Sequence, residues 1–181
     1  AGGSIVSPRR VAGGSSESVF QPEWSPDGIL YFVSDRTGWW NLYRWRGDEA
    51  EPLAPMEAEF GQPQWVFGQS TYAFASASRI VCAYTQSGRW HIADLDTTVP
   101  RLKPVPTPWT VIDTIRAGNG FVAFRAASPT EPMAIVKYDL RTGQTEIVRR
   151  SANIEIDSGY ISVPGEIAFP TEGGETAYGF Y

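Results

Sequence analysis

Phe20-Gln21-Pro22-Glu23-Trp24 and Phe60-Gly61-Gln62-Pro63-Gln64-Trp65 share the pattern Gln-Pro-x-Trp, which recurs 41 residues on, from Gln21 to Gln62. A period of about 40–45 residues on a strand-rich background is what four-stranded propeller blades produce. Outward from the first copy, Ser25-Pro26-Asp27-Gly28 suits a type I turn, with Pro presetting φ at the second position and Gly at the fourth. The run Ile29-Leu30-Tyr31-Phe32-Val33 follows, then the turn Asp35-Arg36-Thr37-Gly38 and the run Trp39-Trp40-Asn41-Leu42-Tyr43-Arg44-Trp45. Arg46-Gly47-Asp48 turns the chain again into Ala50-Glu51-Pro52-Leu53, a short outer strand where Pro is tolerated because one edge faces water. Four strands joined by three tight turns make one blade.

A second unit repeats this plan. Gln62-Pro63-Gln64-Trp65-Val66 and Thr71-Tyr72-Ala73-Phe74 precede Ile80-Val81-Cys82-Ala83-Tyr84, then Trp90 to Leu95 and Arg101 to Val105. Trp24 and Trp40 are 16 residues apart and Trp65 and Trp90 are 25 apart, so this reading lengthens the first hairpin of the second blade. A third unit uses Val111–Ile115, Phe121–Arg125, Met133–Tyr138 and Thr145–Val148. Third strands align best: Leu42, Ile92 and Ile135, and three residues later Trp45, Leu95 and Tyr138, both spaced by 50 and then 43. The repeated Trp24 and Trp65 are expected in the blade cores. Helical periodicity is nearly absent, so the expected class is all-β, a partial (open) β-propeller of about three four-stranded antiparallel blades.

The predicted boundaries are an outer strand of a preceding blade and linker over 1–18, with Ile5 to Val11 as the strand, blades over 19–55, 56–107 and 108–150, and a linker with a hairpin over 151–181. Propellers close with about four to eight blades. Three units leave bare inter-blade faces and unpaired strand edges, which invite pairing. Two expectations follow: further blades in the same polypeptide, and self-association through the open blade faces in isolation. The start, Ala1-Gly2-Gly3-Ser4-Ile5-Val6, reads as a chain entered midway, with no signal-peptide layout.

With 181 residues, 42% hydrophobic and seven Trp, the chain can fill a sizeable core and is not disordered in composition. The net charge of −5 and the lack of a basic cluster beyond Arg9-Arg10 and Arg149-Arg150 argue against nucleic acid. No apolar run reaches the length of a membrane span, so no membrane partner is expected. A single cysteine, Cys82, excludes an internal disulfide and a cysteine metal framework, and its apolar run makes it a small buried hydrophobe.

Candidate chemistry is sparse. His91, the only histidine, falls at the third-strand position of Asn41 and Ala134, and a position shared by Asn and Ala is strand surface. One His does not build a zinc site. Arg46-Gly47-Asp48 spells an adhesive tripeptide, which its role as a tight charged turn explains in full. Glu57-Ala58-Glu59 offers charge to a peptide amino terminus, against the plainer reading of a solvated loop between blades. Trp39 and Trp40 are adjacent on a strand and point to opposite faces, so at most one packs on a given side. They are the candidate interdomain or substrate-path contacts; core packing in both directions explains them equally well. No catalytic residue, cofactor site or metal site is predicted.

Phe20 to Gly28 followed by Leu30 to Tyr43 resembles a propeller blade of the prolyl oligopeptidase family, in its acylaminoacyl-peptidase and dipeptidyl-peptidase-like branch. Trp-Ser-Pro-Asp-Gly is shared with TolB-type propellers. The tail is more specific: Glu166-Ile167-Ala168-Phe169-Pro170-Thr171 with Gly174 to Tyr181 resembles the strand pair through which those enzymes leave the propeller and enter an α/β-hydrolase domain. The resemblance implies a non-catalytic segment of a cytoplasmic serine peptidase, gating and orienting peptide substrates for a Ser-Asp-His triad downstream. Its partners would be the remainder of its own polypeptide and the peptides. The Gly-x-Ser-x-Gly elbow is absent, since Gly68-Gln69-Ser70-Thr71-Tyr72 lacks the closing Gly. The alternatives are a stand-alone TolB- or WD40-like interaction propeller, which leaves the change of pattern after Val148 unexplained, and a carbohydrate-binding sheet, which would need aromatics exposed on one face.

Overall fold

The computed structural model describes residues 7–153 and 156–181. The first meander is β1 (Val19–Trp24), β2 (Leu30–Ser34), β3 (Asn41–Arg46) and β4 (Glu49–Pro52). The second is β5 (Tyr72–Ser76), β6 (Arg79–Gln86), β7 (Arg89–Asp96) and β8 (Arg101–Val105). The third is β9 (Val111–Gly118), β10 (Phe121–Ser128), β11 (Glu131–Asp139) and β12 (Thr145–Arg150). Each forms a four-stranded antiparallel sheet whose strands pair in chain order, and β13 (Glu166–Pro170) pairs with β14 (Thr176–Phe180) as a separate hairpin. The fold is all-β, an open propeller of three blades among the described residues. The expected outer strand over Ile5 to Val11 lies partly outside the described residues, and Ser7 to Val11 joins no ladder.

The sheets stack face on face. β6 reads as a continuous apolar run because both its faces are covered. Ile80, Cys82 and Tyr84 join Tyr31, Val33, Leu42 and Phe60 in one core, and Val81 and Ala83 join Ile112, Val122, Phe124 and Val136 in the next. Alternation of side chains along the strand sends successive residues to the two neighbouring blades. Aromatic rings tie the layers: Tyr31 meets Phe74 edge-on at 5.0 Å, and Phe60 stacks on Tyr84 at 5.2 Å.

The ladders correct the register of the first two blades. Trp24 pairs with Leu30 and Leu30 with Trp45; Phe74 pairs with Ile80 and Ile80 with Leu95. Ser34 opposes Asn41 as Tyr84 opposes His91. Every pair is displaced by the 50 residues of the third-strand triplets, so Phe74, and not Trp65, stands where Trp24 stands. The extra length is not in the first hairpin. It precedes the blade, in the connection from Leu53 to Thr71.

Trp24 and Trp65 are also not core residues: they are 69% and 84% exposed. Trp24 ends β1 at the rim of a turn, and Trp65 lies on the connection, outside any ladder. In the third-strand triplets, Leu42 and Ile92 are buried under the following sheet. Ile135, at the same position of the third blade, is 47% exposed, because no described residue forms a sheet over that face.

Candidate functional site

The sheet ends at which the third strands begin gather Trp39, Trp40, His91 and the seat of the terminal hairpin. Trp40 turns inward there. It meets Phe20 edge-on at 6.1 Å and lies so close to Gly61 that a Cβ at that position has no room. Its backbone N–H donates to Glu59 Oε2 at 2.9 Å. Trp40 and Glu59 are therefore engaged in joining the first blade to the connection. Glu59 also pairs with Thr85 of β6 through its backbone. Trp39 points the other way and is 39% exposed. Of the two tryptophans, Trp39 is the one with a large exposed surface.

His91 stacks on its cross-strand partner Tyr84, with ring centroids 5.2 Å apart. Asn41, its equivalent in the first blade, is buried and holds the connection: its Oδ1 accepts from Met56 N–H, and its Nδ2 donates to Met56 O, both at 3.0 Å. The position serves structure in both blades. Cys82 is fully buried, and burial, aided by the Asp94 charge, pushes its thiol above the ordinary range, so the nucleophilic thiolate is disfavoured. Among the described residues no group of three His, Cys, Asp or Glu side chains is placed to hold a metal ion.

Polar contacts between blades form a second pattern that residue types alone do not reveal. Gln21 sits in a bulge of β1 with φ of 48°. Its Oε1 accepts from Thr71 N–H at 2.7 Å, its Nε2 donates to Tyr72 O at 2.8 Å, and its carbonyl accepts from Tyr72 Oη at 2.8 Å. Toward the opposite sheet ends, Arg44 pairs with Glu51 at 2.6 Å and donates to Thr97 O at 2.6 Å in the next blade. Asp94 binds Arg79 through two bonds of 2.8 and 2.9 Å and accepts from Tyr138 Oη at 2.7 Å. Burial and the bond to Asp94 push the Tyr138 phenol up to about 12, so it remains a donor at neutral pH.

The terminal hairpin is seated on the second blade by one arginine. Arg89 Nε lies 2.6 Å from Glu166 Oε1, and its guanidinium lies 5.5 Å from the centre of the Phe180 ring. Glu166 and Phe180 are directly opposed across the hairpin, so a single side chain grips both strands at their root. Gly88 completes the seat. It has φ of 73°, and a Cβ there would come within 2.8 Å of the Phe180 ring. Beyond this root the hairpin leaves Ile167, Phe169 and Tyr178 exposed. The tight turn at its tip uses Gly173 and Gly174, both with positive φ.

Comparison with known proteins gives the class. No family model and no curated protein sequence matches the chain. Solved structures do. The chain is similar to a puromycin-hydrolyzing peptidase of Mycobacterium tuberculosis, with 29% identity and a TM-score of 0.90 over 97% of this chain and 27% of that one. It also resembles prolyl oligopeptidase B of Galerina marginata, with 13% identity and a TM-score of 0.72 over 95% of this chain and 24% of that one. TolB of Acinetobacter baumannii matches 94% of this chain and 42% of its own at 15% identity, with a TM-score of 0.60. The last two speak for the fold alone. The class defined by fold and neighbours is a β-propeller portion. Its likeness to the puromycin-hydrolyzing peptidase and its coverage are consistent with the propeller of a prolyl oligopeptidase-family peptidase. The chain spans about a quarter of the length of those peptidases.

Proposed function

We propose that the chain is a non-catalytic propeller segment of a cytoplasmic prolyl oligopeptidase-family serine peptidase. It gates and orients peptide or aminoacyl-amide substrates for a Ser-Asp-His triad carried elsewhere in the same polypeptide. The observation that supports this reading is the 29% identity with a puromycin-hydrolyzing peptidase over 97% of the chain, against only 27% of that peptidase. The one thiol is buried, and the one imidazole is stacked in a sheet. A hairpin clamped at its root and exposed beyond it suits an element that leads into a further domain.

The test is to label the full-length protein with a serine-reactive fluorophosphonate and map the modified peptide. The expected label lies outside residues 1–181 and is lost together with hydrolysis of a peptide amide. A label within these residues, or no hydrolysis by the full-length protein, would sink the reading in favour of an interaction propeller of the TolB kind.

A further inference from the structure

Trp65, Val66 and Phe67 are consecutive, and all three are exposed, Phe67 completely. They sit on the long connection into the second blade, which is nevertheless held at both flanks. Gln64 Nε2 donates to Val19 O at 3.0 Å, in the first strand of the first blade. Arg116, in the first strand of the third blade, donates to Gly68 O at 2.6 Å and to Ser70 Oγ. Ser70 Oγ in turn donates to Ile115 O at 2.8 Å. An apolar tip on a braced base is a preformed contact element, because its ordering entropy is met by the fold before any partner arrives. Three adjacent apolar side chains left in water also exceed the scattered exposure normal for a surface.

The anchors say where the tip lies. Both belong to first strands, and in a propeller these surround the central channel. Val19 pairs with Ser34, at the sheet end equivalent to Tyr84 and His91, where Arg89 holds the terminal hairpin. The tip thus lies toward the same sheet ends as the seat of the terminal hairpin, but on their channel side.

We propose that Trp65, Val66 and Phe67 are a specificity-determining finger that receives an apolar side chain of a peptide or aminoacyl-amide substrate in the channel. The proposal rests on the peptidase reading above. The finger contacts substrate and performs no bond-making step, so its deletion separates large apolar from small side chains and leaves the chemistry intact.

The test uses the full-length protein and its W65A/F67A variant, with amide substrates matched except for Ala, Leu or Phe at one position. Calorimetric binding of the corresponding free peptides provides a readout independent of turnover. The expected result is a loss of at least tenfold in kcat/KM, carried by KM, for the Leu and Phe substrates, with less than a twofold change for Ala. A W65F/F67L variant should restore most of the discrimination. Equal losses on all three substrates with a lowered Tm would overturn the proposal and make the finger a packing contact for another domain. If the wild type binds Phe peptides through the finger but turns over none, the finger stands and the peptidase reading falls. If it binds no peptide, both fall.

Discussion

Gln21 and Thr71 stand 50 residues apart, occupy the same position of successive blades, and are bonded to each other: Gln21 Oε1 accepts the Thr71 N–H at 2.7 Å. The Gln of Gln-Pro-x-Trp is thus the joint between the first two innermost strands. Its left-handed backbone aims the amide across the gap instead of along the strand.

Removing that joint should loosen one interface selectively. Gln21→Ala strands the Thr71 donor and the Tyr72 carbonyl, and a loss of about 1–3 kcal/mol in unfolding free energy is expected. Hydrogen exchange should quicken at Thr71 and Tyr72 while β10 and β11 stay protected. Unchanged exchange at Thr71 would show that the amide is dispensable.

Tryptophans and core aromatics should part company in stability. Trp24→Ala should fall within about 0.5 kcal/mol of wild type because its ring is exposed. Phe124→Ala, in the core between the second and third blades, should cost about 3–5 kcal/mol. Urea midpoints of the two variants give the comparison, and a large loss at Trp24 would refute the register.

The hairpin seat should fail without the blades failing. Gly88→Ala must hold φ at 73° and displace the Phe180 ring, a strain of about 1–3 kcal/mol. Arg89→Ala removes both the ion pair and the cation–ring contact. In each variant amide exchange over Glu166–Pro170 and Thr176–Phe180 should rise by tenfold or more, with strands β5 to β7 unaffected. Salt should act in the same direction on the wild type, because the pair is partly exposed.

Acid should weaken the first blade through Glu17. Burial alone would raise its carboxyl, but the Ser34 hydroxyl and the Arg36 guanidinium, together with the Gly13 N–H, hold it below its ordinary value of 4.5. A group depressed in the folded state stabilises fully above the unfolded value and loses that contribution as pH falls through the folded one. Glu17→Gln should therefore be less stable by about 1 kcal/mol at pH 7, with the gap closing as pH drops below 4.5. A gap that persists in acid would show that packing, not charge, sets the difference.

How much could be read in advance differs between elements. Third strands were legible because each has its apolar faces in a fixed relation to the turn that follows: Trp45, Leu95 and Tyr138 each stand one residue before the strand ends. The Gln-Pro-x-Trp echo misled because its second copy falls on a connection, where spacing is free of any ladder. Trp40 could be recognised as one of an opposed pair, yet which of the two turned inward depended on Gly61, a residue 21 positions away. The finger at Trp65 to Phe67 was hidden for a related reason: an apolar triplet reads as strand until its backbone partners are known.

The amino-acid sequence by itself determined the class of fold, the four-strand plan of the first and third blades, the final hairpin and the absence of a nucleophile elbow. These depend on local alternation and turn chemistry, which a chain carries wherever it folds. Only the tertiary structure decided which face each side chain serves, that Gln21 and Arg89 are the joints, and that Trp24 and Trp65 lie in water. Those outcomes depend on residues 21 to 77 positions apart meeting in space, and a side chain's burial is set by what stacks on it, not by its neighbours in the chain.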